Sequence, residues 1–390
     1  MLRAYKYRLY PTEAQAVLIN KHIGACRFVY NLALETKKYV YQSQRISLTS
    51  YDLINQLPEL KKAYPWLSEV DSQSLQQSIM HMNLAYKSLF KGGGYPKFKS
   101  RNRGTQSFKN PHGSKVKIAD GKIKMPKFSE GVKLVVDREI KGEIRSTTVS
   151  KTPTGKYFVS VLCETGVAIP EKQNFSPEKV NGIDVGLSRF AVTSDGKIIE
   201  NPKFLKQSLD RLKVLQRRLS RKKKGSSNRK KAQHKVAVAH EKIANQRKDF
   251  IHKISAQLVR NHDAIVMEDL NIRGMMKNHK LAQGISDVGW ASFVEAIKYK
   301  SEWSGKHFYQ IPRFEPSTKK CSNCGALNDT LMLAIREWAC AECGAFHDRD
   351  INAAQNLKQY FLTSPKVIWV EPVESSALAG AVKQEDVLVH

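Results

Sequence analysis

The sequence predicts a multidomain protein that combines an α/β domain with α+β elements, and three observations carry that prediction. The chain has 390 residues, enough for roughly two to three domains that each bury a core. The hydrophobic period changes from helical to alternating near residue 107, which indicates a β domain after a helical block. In the C-terminal half, short apolar strands alternate with long helical segments, as in an α/β domain.

The N-terminal part is predicted to be a β domain with a helical insertion. Residues 1–10 alternate between polar and apolar and predict a strand, whereas residues 11–106 have helical spacing. Thr12 and Gln15 have the spacing of a capping box at the first helix. Residues 107–170 alternate again, with turn signals at Asp120-Gly121 and Thr154-Gly155. We expect residues 1–10 to complete the sheet formed by residues 107–170.

The C-terminal part, residues 171–362, is predicted to form one α/β domain. Residues 180–199 predict two strands joined at Asp195-Gly196, followed by two long helices. "AIVMED" predicts a short buried strand, "SDVGWASFVEAIKYKSEW" a helix, and "HFYQIP" another strand. A last helix is expected to begin near Asp350. The segment 363–390 has little periodicity, so we expect a disordered tail.

The charge of the chain indicates a polyanionic partner. Lysine and arginine number 65 against 36 acidic residues, a net charge of +29. Such a surplus favours nucleic acid, because cationic side chains release condensed counterions from phosphates. The sequence lacks the amphipathic pattern of an anionic-membrane anchor, and no apolar run is long enough for a spanning helix or typical of a signal peptide. We expect a soluble, cytosolic protein.

Four of the six cysteines form a predicted zinc ribbon within residues 315–347. "CSNC" and "CAEC" are separated by 15 residues, and each pair can supply two thiolates to a tetrahedral ion. The four ligands are Cys321, Cys324, Cys340 and Cys343. A closed four-thiolate shell leaves no open position, so we expect a structural Zn²⁺ and no catalysis there. Cys26 and Cys163 lie in apolar contexts typical of reduced core cysteines.

Three carboxylates are candidate catalytic residues. Asp184 lies inside the apolar strand "GIDVG", Glu268 ends the strand in "AIVMED", and Asp350 opens the last helix. A buried acid is costly unless a cation neutralises it, and Mg²⁺ prefers oxygen ligands. Two such ions can clamp a phosphoryl group for attack by water, with Asp184 as the candidate bridging ligand.

Each acid also has an ordinary structural interpretation. Asp184 could be a turn-proximal aspartate, Glu268 a solvated strand end with Asp269 as its competitor, and Asp350 only an N-cap. The elements that carry or separate the three acids follow the order expected of an RNase H-like nuclease core. That order is a strand and hairpin, long helices, a strand and a helix. The order therefore favours the catalytic interpretation.

Five motifs in the C-terminal part resemble the RuvC-type nuclease domain of the TnpB family. They are "GIDVGLSRFAV", "IVMEDLNIRGM", "SDVGWASF", the paired cysteines and "HDRDINAAQNL", in this order. "YRLYPTEAQ…RFVYN" and "GYPKFKSR" are similar to the N-terminal part of that family, so the resemblance covers roughly residues 1–360. The family comprises transposon-encoded, RNA-guided DNA endonucleases related to compact type V CRISPR effectors.

The resemblance implies an assignment for the acids and the domains. Asp184, Glu268 and Asp350 take the three metal-binding positions, and Asp350 rather than Asp348 matches the family's D-x-N. Residues 1–10 with 107–170 correspond to a β-barrel-like wedge domain and residues 11–106 to a helical recognition domain. Tyr51, Gln76 and Asn110 lie near positions that read a target-adjacent DNA motif, although ordinary surface polar residues would look the same.

The resemblance also implies the partners. The protein would bind a guide RNA, pair it with target DNA and hydrolyse DNA with two Mg²⁺ ions, as a monomer on one RNA in a prokaryotic cytoplasm. Residues 211–253 contain sixteen lysines and arginines against two acids, so we expect a basic helical arm along the RNA or RNA–DNA backbone. The candidate nucleic-acid-binding residues are Arg217, Arg218, Arg221, Lys222, Lys223, Lys224, Arg229 and Lys230.

Three other functions are weighed against this one. "GIDVG" resembles a phosphate-binding strand of actin-like and sugar-kinase ATPases, but Leu187 follows Gly186 where those proteins carry Thr or Ser. A transposase or unguided nuclease could use the same three carboxylates without a guide RNA. A non-catalytic zinc-ribbon protein would leave the three acids unexplained.

Overall fold

The computed structural model describes residues 1–364, apart from residues 103, 105, 314, 333 and 334. The chain divides into two compact units, Met1–Val167 and a second unit that begins at Ala168. The predicted tail, after its first two residues, lies outside the described residues. Within the described part, no helix has the length and apolar character needed to cross a membrane.

The first unit is built on a seven-stranded antiparallel sheet in the order β2-β6-β7-β1-β5-β4-β3. Strand β1 lies between β5 and β7, so the helices that follow it are inserted into the connection between two strands of one sheet. The strands are β1 (Leu2–Tyr10), β2 (Gln106–Asn110), β3 (Lys117–Ala119), β4 (Lys122–Met125), β5 (Phe128–Val135), β6 (Glu143–Lys151) and β7 (Tyr157–Glu164).

Four helices pack with this sheet around one apolar core. They are α1 (Glu13–Gln44), α2 (Ser50–Asn55), α3 (Leu57–Ala63) and α4 (Ser72–Phe90). The predicted capping box at α1 is confirmed, because Thr12 accepts from the Gln15 backbone and the Gln15 side chain accepts from Thr12. The core contains Ile23 of α1, Leu75 of α4 and Val161 of β7, so helices and sheet bury their apolar faces together.

The second unit contains a five-stranded mixed sheet in the order β10-β9-β8-β11-β12. Strands β8, β11 and β12 are parallel to one another, and β9 and β10 continue the sheet antiparallel. The strands are β8 (Val180–Val185), β9 (Arg189–Thr193), β10 (Ile198–Glu200), β11 (Ala264–Glu268) and β12 (His307–Ile311). The predicted turn at Asp195-Gly196 joins β9 to β10. The prediction of one strand before it was wrong, since a second turn at residues 186–188 separates β8 from β9.

Helices cover both faces of this sheet. They are α5 (Phe204–Ser220), α6 (Ser227–Asn261), α7 (Ile272–Met275), α8 (His279–Val288), α9 (Trp290–Trp303) and α10 (Arg349–Thr363). Ile265 faces a core that includes α6 and α9, while its neighbour Val266 faces α10. The single helix predicted over "SDVGWASF" is two helices, because Gly289 adopts the left-handed conformation (φ 72°) that ends α8.

Candidate functional site

The three predicted catalytic acids lie at one edge of the second sheet, which we call the carboxylate edge (Asp184, Glu268 and Asp350). Asp184 is the second-last residue of β8 and Glu268 the last residue of β11. These strands are parallel neighbours, and their register pairs Ile183 with Met267. Asp184 and Glu268 therefore follow at the same level on adjacent strands, because parallel strands end at the same edge of a sheet.

Asp350 is brought to this edge by the close packing of α10 on β8. A Cβ built on Gly182 would lie 2.0 Å from the carbonyl oxygen of Ala354, so only glycine permits this approach. Asp350 lies one turn before Ala354, in the first turn of α10, and only 7% of its surface is exposed. Gly182 thus lets α10 bring Asp350 to the sheet edge that carries Asp184 and Glu268.

The electrostatics couple Asp184 to the other two acids. Burial, followed by the charges of Asp350 and Glu268, raises the pKa of Asp184 to about 7. Burial and the neighbouring Asp269 also raise the pKa of Glu268. Neighbouring carboxylates in a partly dry site favour a bound cation, because a cation relieves both the repulsion and the desolvation cost.

Arginines neutralise Asp350 in the structure. Arg336 Nη1 donates to both carboxylate oxygens of Asp350 at 2.9 Å, and Arg349 Nη2 donates to Oδ1 at 3.3 Å. Arg189 Nη1 lies 3.5 Å from Asp350 Oδ2 and donates to Asp348 at 2.8 Å. Arg336 and Arg189 were not predicted as site residues, because nothing in their local sequence indicates an ion pair formed by tertiary packing.

Neighbouring acids fill the ordinary structural roles that were considered for Asp350 and Glu268. The N-cap of α10 is Asp348, whose Oδ1 accepts from the backbone of Asp350 and Ile351. Although burial alone would raise it, the pKa of Asp348 is lowered by the hydrogen bonds from Arg189 and the helix backbone. Asp269, the competitor of Glu268, pairs with Arg313 at 2.8 Å and is half-exposed. The geometry favours Glu268 and Asp350 over their neighbours.

The carboxylate edge has a donor set that suits hard divalent ions. All three side chains offer only oxygen, which Mg²⁺ prefers. The four cysteine sulfur atoms of the ribbon all lie within 4.8 Å of one another. Within the residues that the structure describes, the oxygens of the three acids do not. Arg336 and Arg349 compensate the charge of Asp350, whereas Asp184 is exposed to the charges of both other acids and is relieved in part by Arg349. The chemistry of the residues present therefore fits magnesium.

The four cysteines predicted to bind zinc come together. The sulfur atoms of Cys321, Cys324, Cys340 and Cys343 all lie within 4.8 Å of one another. The two knuckles are equivalent: Gly325 donates to the Cys321 carbonyl and Gly344 to the Cys340 carbonyl, each at 2.9 Å. Two short strands, β13 (Glu337–Ala339) and β14 (Phe346–Asp348), complete the ribbon. Four sulfur atoms in this arrangement fit a structural Zn²⁺.

Asparagines of α10 attach the ribbon to the helix that carries Asp350. Asn352 accepts from the Ser322 backbone and donates to the Lys320 carbonyl, both at 2.8 Å. Asn356, one turn later, donates to the carbonyls of Ser317 and Lys320 at 2.7 and 2.6 Å. Because these amides satisfy the backbone of the first knuckle, the position of the ribbon and the position of Asp350 are coupled. The i, i+4 asparagines of "DINAAQN" are the signal that could have shown this.

Helices α5 and α6 form the predicted basic arm, as an antiparallel pair. Seven of its eight predicted contact residues are exposed near the turn between the helices, namely Arg217, Arg218, Arg221, Lys222, Lys223, Lys224 and Lys230. Arg229 is half-buried instead. Its Nη1 donates to the carbonyls of Leu219 and Lys222 at 3.1 and 2.9 Å, so Arg229 closes the turn of the arm.

The base of the arm is held by Asp287, which belongs to the "SDVGW" motif. Lys203 precedes α5 but provides no side-chain cap. Asp287 takes this role from α8, since its two oxygens accept from the Leu205 backbone at 3.0 and 3.1 Å. Arg247 of α6 donates to Asp287 Oδ1 at 3.0 Å, and the carboxylate is buried. One carboxylate therefore joins three helices, a role that the sequence analysis did not assign.

The three candidates for reading a target-adjacent motif lie in the first unit in different environments. Tyr51 on α2 is 71% exposed, and Gln76 on α4 is half-buried. Asn110, the last residue of β2, is 4% exposed, and its Oδ1 accepts from the His112 backbone at 3.0 Å. Tyr51 is therefore the most accessible of the three, and the side chain of Asn110 is already used in a local turn.

Comparisons with known proteins cover most of the chain. Family models match residues 160–279 ("Probable transposase"), residues 290–357 ("Cas12f1-like, TNB domain") and residues 1–45 ("Helix-turn-helix domain"). A solved structure of a Cas12f1–sgRNA–target DNA complex shares the fold, with a TM-score of 0.57 at 15% identity over 91% of this chain and 84% of that chain.

Two curated bacterial relatives match nearly from end to end. A Streptomyces pristinaespiralis protein, named a candidate RNA-guided DNA endonuclease, is 38% identical over 98% of this chain and 96% of its own length. InsQ of Escherichia coli K12, named likewise, is 31% identical over 91% of each. The resemblance drawn from short motifs is confirmed over 98% of the chain, and the chain belongs to the TnpB family.

Proposed function

We propose that this chain is an RNA-guided DNA endonuclease that hydrolyses DNA phosphodiesters with divalent ions at the carboxylate edge. The observation that carries the proposal is the convergence of Asp184, Glu268 and Asp350 at one sheet edge, with the Asp184 pKa raised to about 7 by burial and by the other two. It is supported by relatives of nearly equal length that are named as such enzymes.

The proposal assigns a task to each part of the chain. The second unit corresponds to a RuvC-like, RNase H-like core with the ribbon inserted before α10, and the first unit to a wedge sheet with a helical recognition insertion. Two Mg²⁺ ions at the carboxylate edge would activate the attacking water and stabilise the charge that develops on the phosphoryl oxygens. Arg336 orients Asp350 and neutralises it, and the arm follows the backbone of the guide RNA or its heteroduplex. One RNA is expected on each monomer.

Single alanine substitutions test the acids. Asp184→Ala, Glu268→Ala and Asp350→Ala should each abolish guided cleavage, whereas guide RNA binding should persist because none of the three lies on the arm. Cleavage should also require added Mg²⁺. A variant that still cuts would remove its residue from the site.

A second candidate function is a transposase or an unguided nuclease, which the description of the family model favours. The chain should be expressed with the DNA that flanks its gene and purified in high salt, and the RNA that remains bound should be sequenced. One discrete RNA that directs cleavage to a matching DNA supports guided activity. Cleavage that is independent of RNA would favour the second candidate.

A further inference from the structure

The first unit has a cavity of about 410 Å³ between α1 and the 3₁₀ turn Pro65–Glu69. None of the predicted contact residues lines it. Its lining combines two cations, one carboxylate, two aromatic rings and two small residues: Lys21, Arg27, Glu69, Phe28, Trp66, Gly24 and Ala25. Cavities of this size accept small ligands or parts of larger ones.

Aromatic rings form one wall of the cavity. Phe28 packs edge-to-face against Trp66 and against the neighbouring Tyr64, with ring centroids 5.3 Å apart in both pairs. Trp66 and Tyr64 nevertheless remain 42% and 43% exposed. Large aromatic side chains contribute to a fold by burial, so a wall that leaves them half-exposed suits a planar ligand.

Cations lie beside this wall. Lys21 forms an ion pair with Glu69 at the rim. Arg27 donates to Gln106 Oε1 at 3.2 Å, and within the described part of the chain no carboxylate pairs with it. Burial and the positive charge of Arg101 lower the pKa of Arg27, as expected of a cation without an anionic neighbour. A phosphate beside Arg27 would supply the missing charge.

Gly24 forms part of the cavity lining in the middle of α1. A Cβ built there meets nothing within 4 Å, and the residue has helical geometry. Glycine weakens a helix interior relative to residues with a side chain, so no steric need of the fold explains it. Its effect is to keep the cavity open.

We infer that this cavity holds one unpaired nucleotide of the guide RNA, with its base against Phe28 and Trp66 and its phosphate beside Arg27. The inference rests on the proposed function, since it names a contact of the same RNA. An RNA is favoured over the target DNA because structured RNAs present splayed bases from loops and bulges, and aromatic rings recognise such bases by stacking. The target strand, by contrast, is paired with the guide.

The experiment uses the full chain and the RNA that co-purifies with it. Ultraviolet cross-linking of the wild-type complex, followed by mass spectrometry, should find nucleotide adducts on Trp66 or Phe28. Trp66→Ala should weaken binding of that RNA about 10-fold at fixed salt, because stacking of one base is lost. Gly24→Leu should weaken it similarly while leaving the melting temperature equal or higher. Ala14→Leu adds three carbons, close to the four of Gly24→Leu, at an exposed position of the same helix, and it should change neither.

The outcomes separate this inference from the proposed function. Wild-type affinity in Gly24→Leu, with no adduct at the cavity, overturns the inference even if guided cleavage is intact. Adducts to target DNA with unchanged RNA affinity overturn the assignment to RNA. A wild-type chain that retains no discrete RNA would instead refute the proposed function itself.

Discussion

The carboxylate edge and the basic arm are both rich in charge, yet they hold it in opposite ways. At the edge, three acids from β8, β11 and α10 lie near one another in a partly buried place, and burial together with the two neighbouring acids raises the pKa of Asp184 to about 7. On the arm, seven exposed cations spread over two helix ends and a turn.

Single residues should therefore matter more at the carboxylate edge than on the arm. Charges that are close and partly buried interact strongly, because neither water nor salt screens them. Charges dispersed in water are screened within about 10 Å at 0.1 M salt, and their contributions to binding add in small steps. We therefore expect substitutions at the carboxylate edge to have the largest effects and substitutions at the tip of the arm to have the smallest.

Asp184→Asn should have the largest effect. It should reduce guided cleavage by about 1,000-fold or more, since an amide cannot replace a carboxylate that holds divalent ions. It should also raise the stability of the magnesium-free protein at pH 7.5, by on the order of 2 kcal/mol, because one pKa unit is worth about 1.4 kcal/mol and water partly screens this side chain. Cleavage assays and thermal unfolding measure the two effects.

The stability difference should depend on pH. The unfolded Asp184 carboxyl ionises near pH 4, but the folded one near pH 7. The folded state therefore binds more protons between these values, and the wild-type protein loses stability as the pH rises from about 4 to about 7. Asp184→Asn lacks this loss. Equal stability of the two proteins at pH 7.5 would show that the carboxylate is not under repulsion.

Gly182→Ala should come next. The new methyl group would overlap the carbonyl of Ala354, so α10 must move by about 1 Å and carry Asp350 with it. A displacement of that size can cost about 100-fold in rate. Gly284→Ala is the matched control, because its methyl group would make only ordinary contact with Leu187 at 3.6 Å. Similar cleavage rates for the two variants would mean that the packing of α10 does not position Asp350.

Asp287→Ala tests the base of the arm. It removes the cap of α5 and leaves Arg247 without its carboxylate, which should destabilise the second unit by about 2–4 kcal/mol. Amide hydrogen exchange should accelerate in the first turn of α5, and RNA affinity should fall several-fold. Asp287→Asn keeps an acceptor for the Leu205 backbone and should restore part of the protection. No change in α5 exchange would argue against a cap supplied from α8.

Lys222→Ala should have the smallest effect. Affinity for the guide RNA should fall about 2- to 3-fold, and the slope of log affinity against log salt should decrease by about 1. Arg229→Lys separates the effect of charge from the effect of turn geometry, because it keeps the charge but loses the two-carbonyl contact that closes the turn. Its affinity should fall with an unchanged slope. A changed slope would mean that Arg229 contacts phosphate directly.

Much of the fold and site could be predicted from local sequence. The cysteine spacing indicated four converging ligands, and the apolar strands around Asp184 and Glu268 indicated buried acids. Such patterns are visible because period and spacing reflect local geometry. The turn at residues 186–188 was missed because the apolar pattern continues through Gly186 and Leu187, and the helix break at Gly289 because one glycine does not always end a helix.

The remaining features depend on tertiary packing. Arg336 reaches Asp350 from the ribbon, and Asp287 caps a helix that lies more than 80 residues earlier in the chain. Neither residue has a local signature, because its partner is set by how distant elements pack. In the same way, the polar sequence around Arg229 did not indicate that its guanidinium would donate to two backbone carbonyls within the arm.

The central position of β1 has a consequence for how the protein forms during synthesis. Strand β1 is synthesised before both strands with which it pairs, since Tyr5 pairs with Val161 and Leu9 with Leu134. The helices α1–α4 can gain their local contacts early, whereas the sheet must wait for β7 and then close a long loop, which slows folding. Strand β5 can pair with one edge of β1 before then, but the edge that pairs with β7 stays open to other chains. A nascent chain stalled before residue 157 should therefore be a substrate for chaperones.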